Sequence, residues 1–193
     1  MKLSSEDKNW LLNLSRTAIT LLLETGKKIT VNENIVPSST KEKVAVFVTL
    51  EVKGKLHGCI GNIEPRSHLY LAVIENALSA AFDDPRFPEI TNNDLKDLSI
   101  EISVLSNFAQ INGTSNNERV SKIRPGKDGV ILENGNRKAV FLPQVWVELP
   151  QKEDFLTHLS HKAGLTQAAW KLENTQFTTF QIESFSSINP LTP

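Results

Sequence analysis

Two predicted β-hairpins constrain the fold of this chain more than any other feature of its sequence. The first runs from the β-branched stretch 44–50 through a turn at Lys53-Gly54 into a return strand at 55–61. The second spans residues 130–142 and turns at Asn134-Gly135, a strong short-range hairpin signal. A hairpin pairs antiparallel neighbours, whereas parallel strands need a long crossover. We therefore predict an α+β fold with a mainly antiparallel sheet flanked by helices.

Helical periodicity predicts a first helix whose apolar side chains form one stripe. The stripe consists of Trp10, Leu11, Leu14, Ala18, Leu21 and Leu22. Ser4 or Ser5 suits the cap at its start, and Gly26 suits the left-handed position just past its end. A long polar connection, residues 27–43, follows and is expected either to be mobile or to wrap over the surface.

Later elements carry similar local signals. Ser67 can cap a second helix, and Asp154 can cap a helix closer to the end of the chain. Alternation of apolar and polar residues predicts a half-buried strand at 100–104 and a last strand at 177–185.

Size and charge limit the classes of protein to which the chain can belong. The 193 residues fit one domain, or one domain built as two lobes. The net charge of −1 lacks the electrostatic footprint of a nucleic-acid binder, so we expect no nucleic-acid partner. The first residues contain no apolar signal-peptide core, and no apolar run is long enough to span a bilayer. We expect a cytoplasmic protein with no membrane partner.

The single cysteine, Cys59, restricts the metal chemistry of the chain. One cysteine forms no internal disulfide and cannot by itself build a four-cysteine zinc site or hold an iron–sulfur cluster. His158 and His161 are three positions apart on a predicted helix, but no carboxylate stands at the spacing of the H-E-x-x-H zinc motif. We therefore expect no metal site and no cofactor.

The return strand of the first hairpin carries the most distinctive segment of the chain. Strand alternation divides it into one face with Leu56, Gly58 and Ile60 and another with His57, Cys59 and Gly61. An imidazole beside a thiol is the basis of Cys–His nucleophiles, although a cysteine often only packs. Two glycines in a strand indicate either a bulge or a close approach to the backbone by a ligand or another strand.

A second distinctive segment follows the second predicted helix and contains Asp83, Asp84, Pro85 and Arg86. Arg86 could bind a carboxylate or phosphate through two parallel hydrogen bonds. Alternatively, the segment only ends the helix, and Arg86 pairs with Asp83 or Asp84. Both interpretations stay open at this point.

Together these segments resemble a known family. The chain is similar to the AMMECR domain family, named for the AMME contiguous-deletion syndrome candidate gene, whose bacterial and archaeal members are often named protein A of the AmmeMemoRadiSam system. Residues 56–61 resemble the family's L-R-G-C-I-G signature, and residues 84–88 resemble its D-P-R-F-P. Further matches in order and spacing lie at 64–66, 76–77, 80–82, 100–105, 124–129, 141–146 and 162–165. The resemblance covers about residues 8–185.

The resemblance implies an α+β fold of two unequal lobes, with the signature residues gathered toward a cleft between them. It supplies no reaction, and it implies a modification pathway shared with Memo-like and radical-SAM proteins. His57 stands where the family pattern has arginine. An unperturbed histidine is charged only below about pH 6.5. If the arginine binds an anion in relatives, we expect this chain to bind that anion weakly or with pH dependence.

Two functions of different classes remain open. The first is an enzyme, or an enzyme component, that binds a small anionic or nucleotide-like substrate in the cleft around residues 56–61. Its catalytic candidates are Cys59 and His57, with Glu101 or Asp83 as proton acceptor. Its substrate-binding candidates are Gly58, Ile60, Gly61, Arg86, Asp128 and Gln144. The second function is a non-catalytic protein-binding or adaptor module whose cleft is a docking groove.

Overall fold

The computed structural model describes residues 3–187. The chain divides into two compact units: the first contains the residues up to 105 and those from 183 onward, and the second contains residues 106–182. Two units of unequal size agree with the predicted pair of lobes, whereas the cleft between the lobes stays a prediction. Within residues 3–187, no helix is both long and apolar enough to cross a membrane.

Helix α1 (Ser5–Thr25) begins and ends where local chemistry predicts. The Ser4 hydroxyl accepts a hydrogen bond from the backbone N–H of Asp7, and the Asp7 carboxylate accepts one from the backbone N–H of Ser4. These bonds satisfy donors that the start of a helix leaves free. Gly26 has a left-handed backbone, with φ of 68°, just past the last helical residue. Ser4, rather than Ser5, is therefore the cap.

The connection after α1 wraps over the first unit, in agreement with one of the two expectations. It contains two short 3₁₀ turns, Glu33–Ile35 and Ser38–Lys41. Val36 is buried, and Ile29 and Val31 pack against the core of the first unit. The segment is therefore anchored by its own apolar side chains.

Four strands form the sheet of the first unit: β1 (Val46–Val52), β2 (Lys55–Asn62), β3 (Leu98–Gln110) and the last strand of the chain, numbered β6 (Gln176–Ser186). Their order in the sheet is β2-β1-β3-β6, and both β3 and β6 continue into the second unit. Strand β1 is antiparallel to both of its neighbours. Strand β2 is an edge strand, so one side of its backbone has no strand partner.

The two faces of this sheet differ sharply in polarity. The core face carries the buried side chains of Val46, Val48, Leu50, Ile100, Ile102 and Val104. They belong to one core with residues of α1 and of helix α2 (Leu69–Phe82). The opposite face, here called the outer face, carries Phe47, Thr49, Glu51, Ser99, Glu101 and Ser103, because successive strand residues alternate. The half-buried strand predicted at 100–104 is confirmed.

The first hairpin turns where predicted, but its return strand contains a bulge. Glu51 lies opposite Leu56, whereas the next pair is Leu50 opposite Gly58, so His57 is an extra residue. A one-residue shift of register moves the side chains that follow to the other face. The prediction that Leu56 shares a face with Gly58 is therefore wrong: Leu56 is 47% exposed, and Gly58 is buried.

The bulge decides which way the cysteine faces. An unbroken register from the turn would place Cys59 opposite Val48, which is fully buried in the core. The extra residue instead places Cys59 opposite Thr49, on the outer face. One inserted residue therefore turns the thiol away from the core.

Helix α2 packs against β1 and β2. Its cap position is His68, which makes no side-chain capping bond, so the predicted cap at Ser67 is wrong. The helix backbone approaches the sheet closely, because a methyl group on Gly58 would overlap the carbonyl oxygen of Ala80. Its apolar contacts with the sheet, rather than a capping side chain, hold this helix in place.

The strands of the second unit have the order β3-β6-β4-β5, where β4 is Gly129–Asn134 and β5 is Arg137–Phe141. Their turn forms as predicted, with Asn134 paired to Arg137 and Gly135 at a φ of 60°.

Two helices complete this unit, α3 (Asn116–Ser121) and α4 (Lys152–Lys162). Gln151 occupies the cap position of helix α4 but makes no side-chain capping bond. Asp154 lies in the first turn of the helix, so the cap predicted for Asp154 is wrong. Trp146 stacks on Phe155 in the core of the second unit, with ring centroids 3.6 Å apart.

Candidate functional site

The single thiol lies on the outer face of the first unit and is partly exposed. The hydroxyl of Thr49, on the neighbouring strand, donates a hydrogen bond to the Cys59 sulfur over 3.3 Å. The two residues stand directly opposite each other in the register of β1 and β2. The sulfur therefore has a defined position at a surface that solvent reaches.

Two side chains of the loop after α2 bind the free edge of β2 at the same cysteine. The Asp84 carboxylate accepts a hydrogen bond from the backbone N–H of Cys59 at 3.0 Å. The Arg86 guanidinium donates to the backbone carbonyl oxygen of Cys59, also at 3.0 Å. Because β2 is an edge strand, these two backbone groups would otherwise lack a partner in the sheet. The two distinctive segments of the sequence thus meet at Cys59.

Asp84 and Arg86 also form an ion pair with two hydrogen bonds between their side chains. Nη2 of Arg86 donates to one carboxylate oxygen at 2.7 Å and Nε to the other at 2.9 Å. The Asp84 side chain is 2% exposed and that of Arg86 is 57% exposed. Hydrogen bonding to Arg86 outweighs burial and holds the pKa of Asp84 well below its usual range, and the same contact raises the pKa of Arg86.

The pairing bears on the two interpretations of Arg86. The structure contains the internal ion pair, and the partner is Asp84 rather than Asp83. Nε and Nη2 of Arg86 donate to the Asp84 carboxylate, and Nη2 also donates to the backbone carbonyl oxygen of Cys59. An anionic ligand would have to share a charge that Asp84 already balances, so anion binding by Arg86 stays a prediction.

The two glycines of the 56–61 segment are contacted by the protein itself. A methyl group on Gly58 would overlap the backbone of Ala80, and one on Gly61 would overlap the ring of Phe47. Ile60, predicted to bind substrate, packs against the core of the first unit. The close approach expected at these glycines is therefore made by α2 and by Phe47.

His57 points to a different neighbourhood from Cys59. Its ring stacks with Phe87, the centroids being 6.3 Å apart, and its Nε2 is buried without a hydrogen-bond partner in the described part of the chain. Hydrogen bonds from Thr91 lower the pKa of Asp94, and the charge of His57 adds to that lowering. No hydrogen bond joins His57 to the Cys59 sulfur within residues 3–187. The bulge separates the pair that plain alternation brings together.

Glu101 shares the outer face with the thiol. Thr49 stands between them in register, opposite Cys59 on one side and opposite Glu101 on the other. Two strand spacings, about 10 Å, therefore separate the backbones of Cys59 and Glu101. The Ser103 hydroxyl donates to the Glu101 carboxylate at 3.4 Å and shares a hydrogen bond of 2.8 Å with the Ser184 hydroxyl. Glu101 faces the same surface as the thiol but does not reach the sulfur directly.

A cavity of about 170 Å³ opens on the outer face beside this row of side chains. It is lined by Thr49, Glu51, Ser99, Glu101, Ser186 and Ser187. Hydroxyl groups donate and accept hydrogen bonds, whereas ionised carboxylates only accept them. The lining therefore suits a small ligand that carries hydroxyl or ammonium groups.

The remaining predicted site residues lie elsewhere. Asp83 is exposed at the end of α2 and lines a groove along that helix. Asp128 and Gln144 belong to the second unit, where Gln144 is exposed. Asp128 is 2% exposed and accepts hydrogen bonds from the Arg124 guanidinium, the shortest over 2.6 Å. The carboxylate of Asp128 thus stabilises the turn before β4.

The arrangement of histidine and acidic side chains was the sequence's other possible signal for a metal site. Within the described ranges, no three His, Cys, Asp or Glu side chains are grouped closely enough to hold a metal ion. His158 and His161 are both exposed on α4, as on a solvated helix face.

Thr49 lies beside the thiol but is not among the site residues predicted from the sequence. An ideal hairpin register places Thr49 opposite Gly58, and only the bulge at His57 aligns it with Cys59. Strand alternation could have indicated Glu51 and Ser99 as neighbours of the site. Glu51 is two residues from Thr49 and Ser99 is two residues from Glu101, and strand residues two apart share a face.

The fold and the site together define an α+β protein of two compact units, with an antiparallel sheet and its one cysteine on the outer face of the first unit. A family model described as AMMECR1 matches residues 12–185. The chain belongs to the AMMECR1 family, which confirms the resemblance drawn from its sequence motifs.

Several archaeal proteins are similar to this chain over nearly their whole length. Protein MK0488 of Methanopyrus kandleri is 38% identical over 196 residues, which cover 100% of this chain and 94% of that protein. A protein of Methanothermobacter thermautotrophicus is 38% identical over 184 residues, 95% of each chain. The crystal structure of an uncharacterized protein, PH0010 from Pyrococcus horikoshii, matches with a TM-score of 0.88 at 38% identity, covering 100% of this chain and 97% of that one. This match confirms the α+β fold.

Proposed function

We propose that this protein is an enzyme component that uses the thiol of Cys59 on a small polar molecule bound at the outer face of its first unit. The observation that carries the proposal is the row of Cys59, Thr49 and Glu101 on adjacent strands beside a polar cavity. Asp84 and Arg86 bind both free backbone groups of the cysteine. A reactive group needs such a defined position, because misplacement by about 1 Å can cost a hundredfold in rate.

Charge around the cavity favours a ligand with hydroxyl or ammonium groups. Glu51 and Glu101 both line the cavity, whereas the charge of Arg86 is balanced by Asp84. An anion in the cavity would meet two like charges. At about 170 Å³ the cavity is smaller than the ~300–1,000 Å³ typical of ligand pockets, so the proposed ligand is a small one. An anionic or nucleotide-like substrate bound by Arg86 is the alternative ligand.

The proposed roles follow from the spacing of the side chains. The Thr49 hydroxyl positions the sulfur of Cys59, and Glu101 binds a hydroxyl or ammonium group of the ligand. Because about two strand spacings separate thiol and carboxylate, a proton passes between them only through the ligand or a water molecule.

Alkylation of the folded protein tests the proposal. The chain has one cysteine, so intact mass after iodoacetamide treatment measures Cys59 alone. We expect the native protein to be alkylated, and we expect small polyols or amines that bind the cavity to slow the reaction. Glu101→Gln should lose this protection, while Glu153→Gln, at an exposed position of α4, should keep it. A thiol that reacts only after unfolding in urea would contradict the proposal.

The adaptor function is a second proposal, with different expectations. An adaptor acting with Memo-like and radical-SAM proteins would retain its function in Cys59→Ser. It would lose partner binding in Arg86→Ala, because that change disturbs the edge of β2. Pull-down of those proteins with both variants distinguishes the adaptor from the thiol-dependent enzyme component.

A further inference from the structure

A groove of about 660 Å³ runs along helix α2 in the first unit and shares no lining residue with the cavity beside Cys59. Its walls are α2, the end of α1 and the connection that follows α1. Apolar side chains make up much of its lining: Leu22, Ile29, Val31, Ile74, Leu78 and Phe82. Its volume lies within the range of small-molecule sites.

The face of α2 in this groove consists of two parallel rows of side chains, each repeating every four residues. One row, at positions 70, 74, 78 and 82, is Tyr, Ile, Leu and Phe. The other, at positions 71, 75, 79 and 83, is Leu, Glu, Ser and Asp. An apolar row therefore lies alongside a row that carries two carboxylates.

The two carboxylates of the second row are well separated. Glu75 and Asp83 are eight residues apart, which corresponds to about 12 Å along a helix axis. The groove is thus elongated, and the apolar row forms a floor alongside its negative charges. Asp83 also stands at the carboxyl end of α2, where the helix dipole adds to the attraction for a cation.

The charges of the groove are not neutralised internally. Glu33, Glu75 and Asp83 line it together with one cation, Lys28, and within residues 3–187 none of the four forms a salt bridge. Opposite charges would stabilise a cationic ligand, and Lys28 would weaken its binding.

Tyr70 adds a polar group to the apolar row of the groove. Tyr70 is only 4% exposed and lines the groove. Its ring contacts that of His68, and its hydroxyl forms no hydrogen bond with the described residues. Unlike Nε2 of His57, this hydroxyl is reached by solvent. A ligand in the groove can therefore exchange a hydrogen bond with this hydroxyl in place of water.

We propose that this groove binds a linear aliphatic diamine or polyamine, whose methylene chain lies on the apolar row of α2 and whose ammonium groups reach Glu75 and Asp83. The methylenes match the apolar floor, and two terminal ammonium groups match two carboxylates about 12 Å apart. The site is separate from Cys59, so it stands or falls independently of the thiol proposal.

Titration of the ¹⁵N-labelled protein with a chain-length series tests the assignment. Diaminooctane, whose ammonium spacing is close to that of the carboxylates, should shift the amide signals of α2 with a Kd near one millimolar, as expected for so few ligand atoms. Diaminobutane is too short to reach both carboxylates and should bind several-fold more weakly. Octanediol and octanedioic acid keep the methylene chain without the positive charges and should not saturate the groove.

Four single substitutions locate the binding. Glu75→Gln and Asp83→Asn should each weaken diaminooctane about three- to fivefold, the size of a partly exposed ion pair. Tyr70→Phe removes only the hydroxyl and should weaken binding several-fold without lowering the melting temperature. Lys28→Ala should tighten binding, because it removes the one repelling charge.

A matched control variant and three possible results test whether the groove binds a diamine. Glu153→Gln, which alters another exposed carboxylate, on α4, should leave the affinity unchanged. Equal binding of octanediol and diaminooctane, or no length dependence among the diamines, would overturn the proposal. If Glu153→Gln weakened binding as much as Glu75→Gln and Asp83→Asn do, the diamine would only be attracted to an acidic surface in general, and the proposal would fail. Competition by a lysine-rich helical peptide at clearly higher affinity would assign the groove to a protein partner instead.

Discussion

The variant Asp84→Asn tests whether one buried carboxylate holds the edge of strand β2. Asparagine keeps the shape of the side chain but loses its charge and one acceptor oxygen. The native carboxylate accepts four hydrogen bonds, from the backbone N–H groups of Cys59 and Arg86 and from Nε and Nη2 of the Arg86 side chain. The amide of asparagine cannot satisfy all four donors, so some of them lose their partner.

We expect Asp84→Asn to lower the free energy of unfolding by about 2–3 kcal/mol. Each of the two backbone bonds to an ionised acceptor contributes about 1.5 kcal/mol. The ion pair adds at most about 1 kcal/mol, because the Arg86 side chain is 57% exposed and solvent screens it. The oxygen that asparagine retains offsets about 1 kcal/mol of the loss. At ~2–4 °C per kcal/mol for a chain of this size, the melting temperature should fall by about 5–10 °C.

Urea unfolding measures the change in free energy, and hydrogen exchange at the Cys59 amide measures its location. The matched control is Asp83→Asn, which alters an exposed carboxylate next in sequence and should cost less than about 0.5 kcal/mol. The reasoning is refuted if Asp84→Asn costs less than about 1 kcal/mol, or if the Cys59 amide exchanges as slowly as in the parent protein.

Two further predictions concern the loss of stability at low pH and the packing of α2 against β2. Because the folded-state pKa of Asp84 lies below its unfolded value of about 3.9, its stabilisation is complete above that value and is lost as the pH falls toward the folded pKa. Asp84→Asn should therefore show a shallower loss of stability between about pH 5 and pH 2 in urea titrations, and parallel curves would contradict this linkage. Gly58→Ala should cost about 3 kcal/mol, because the new methyl overlaps the backbone of Ala80. The control is Gly54→Ala, whose new methyl meets no atom within 4 Å but whose backbone has a φ of 70°. It should cost only about 1 kcal/mol in the same urea assay. Equal losses in the two variants would mean that contact with α2 is not the reason for glycine at position 58.

Much of the candidate site was visible in the sequence as two separate segments. The pattern at residues 56–61 and the run around Asp84 and Arg86 are both distinctive in the sequence, which also allows pairing of Asp84 with Arg86 as one of two interpretations. Their meeting at Cys59 was not predictable, because it depends on hydrogen bonds between residues 25 and 27 positions apart. Charge alone made Arg86 look available to an anion, whereas in the structure Asp84 balances it.

The sequence alone determined the features whose causes lie within a few residues. Ser4 and Asp7 cap α1 through bonds three residues apart, and Gly26 ends the helix through its own left-handed backbone. The turn at Lys53-Gly54 likewise depends only on the conformations that these residues adopt. Local propensity and capping suffice for such features, since every interacting group is close in the chain.

Only the tertiary structure decided which way the thiol faces and what surrounds it. The bulge at His57 shifts the register by one residue, and alternation then places Cys59 on the outer face opposite Thr49 instead of in the core. Gly58 accommodates the close approach of α2 at Ala80. A sequence pattern with period two cannot reveal an inserted residue, and the residues that contact the bulged strand, Asp84, Arg86 and Phe87, lie far away along the chain.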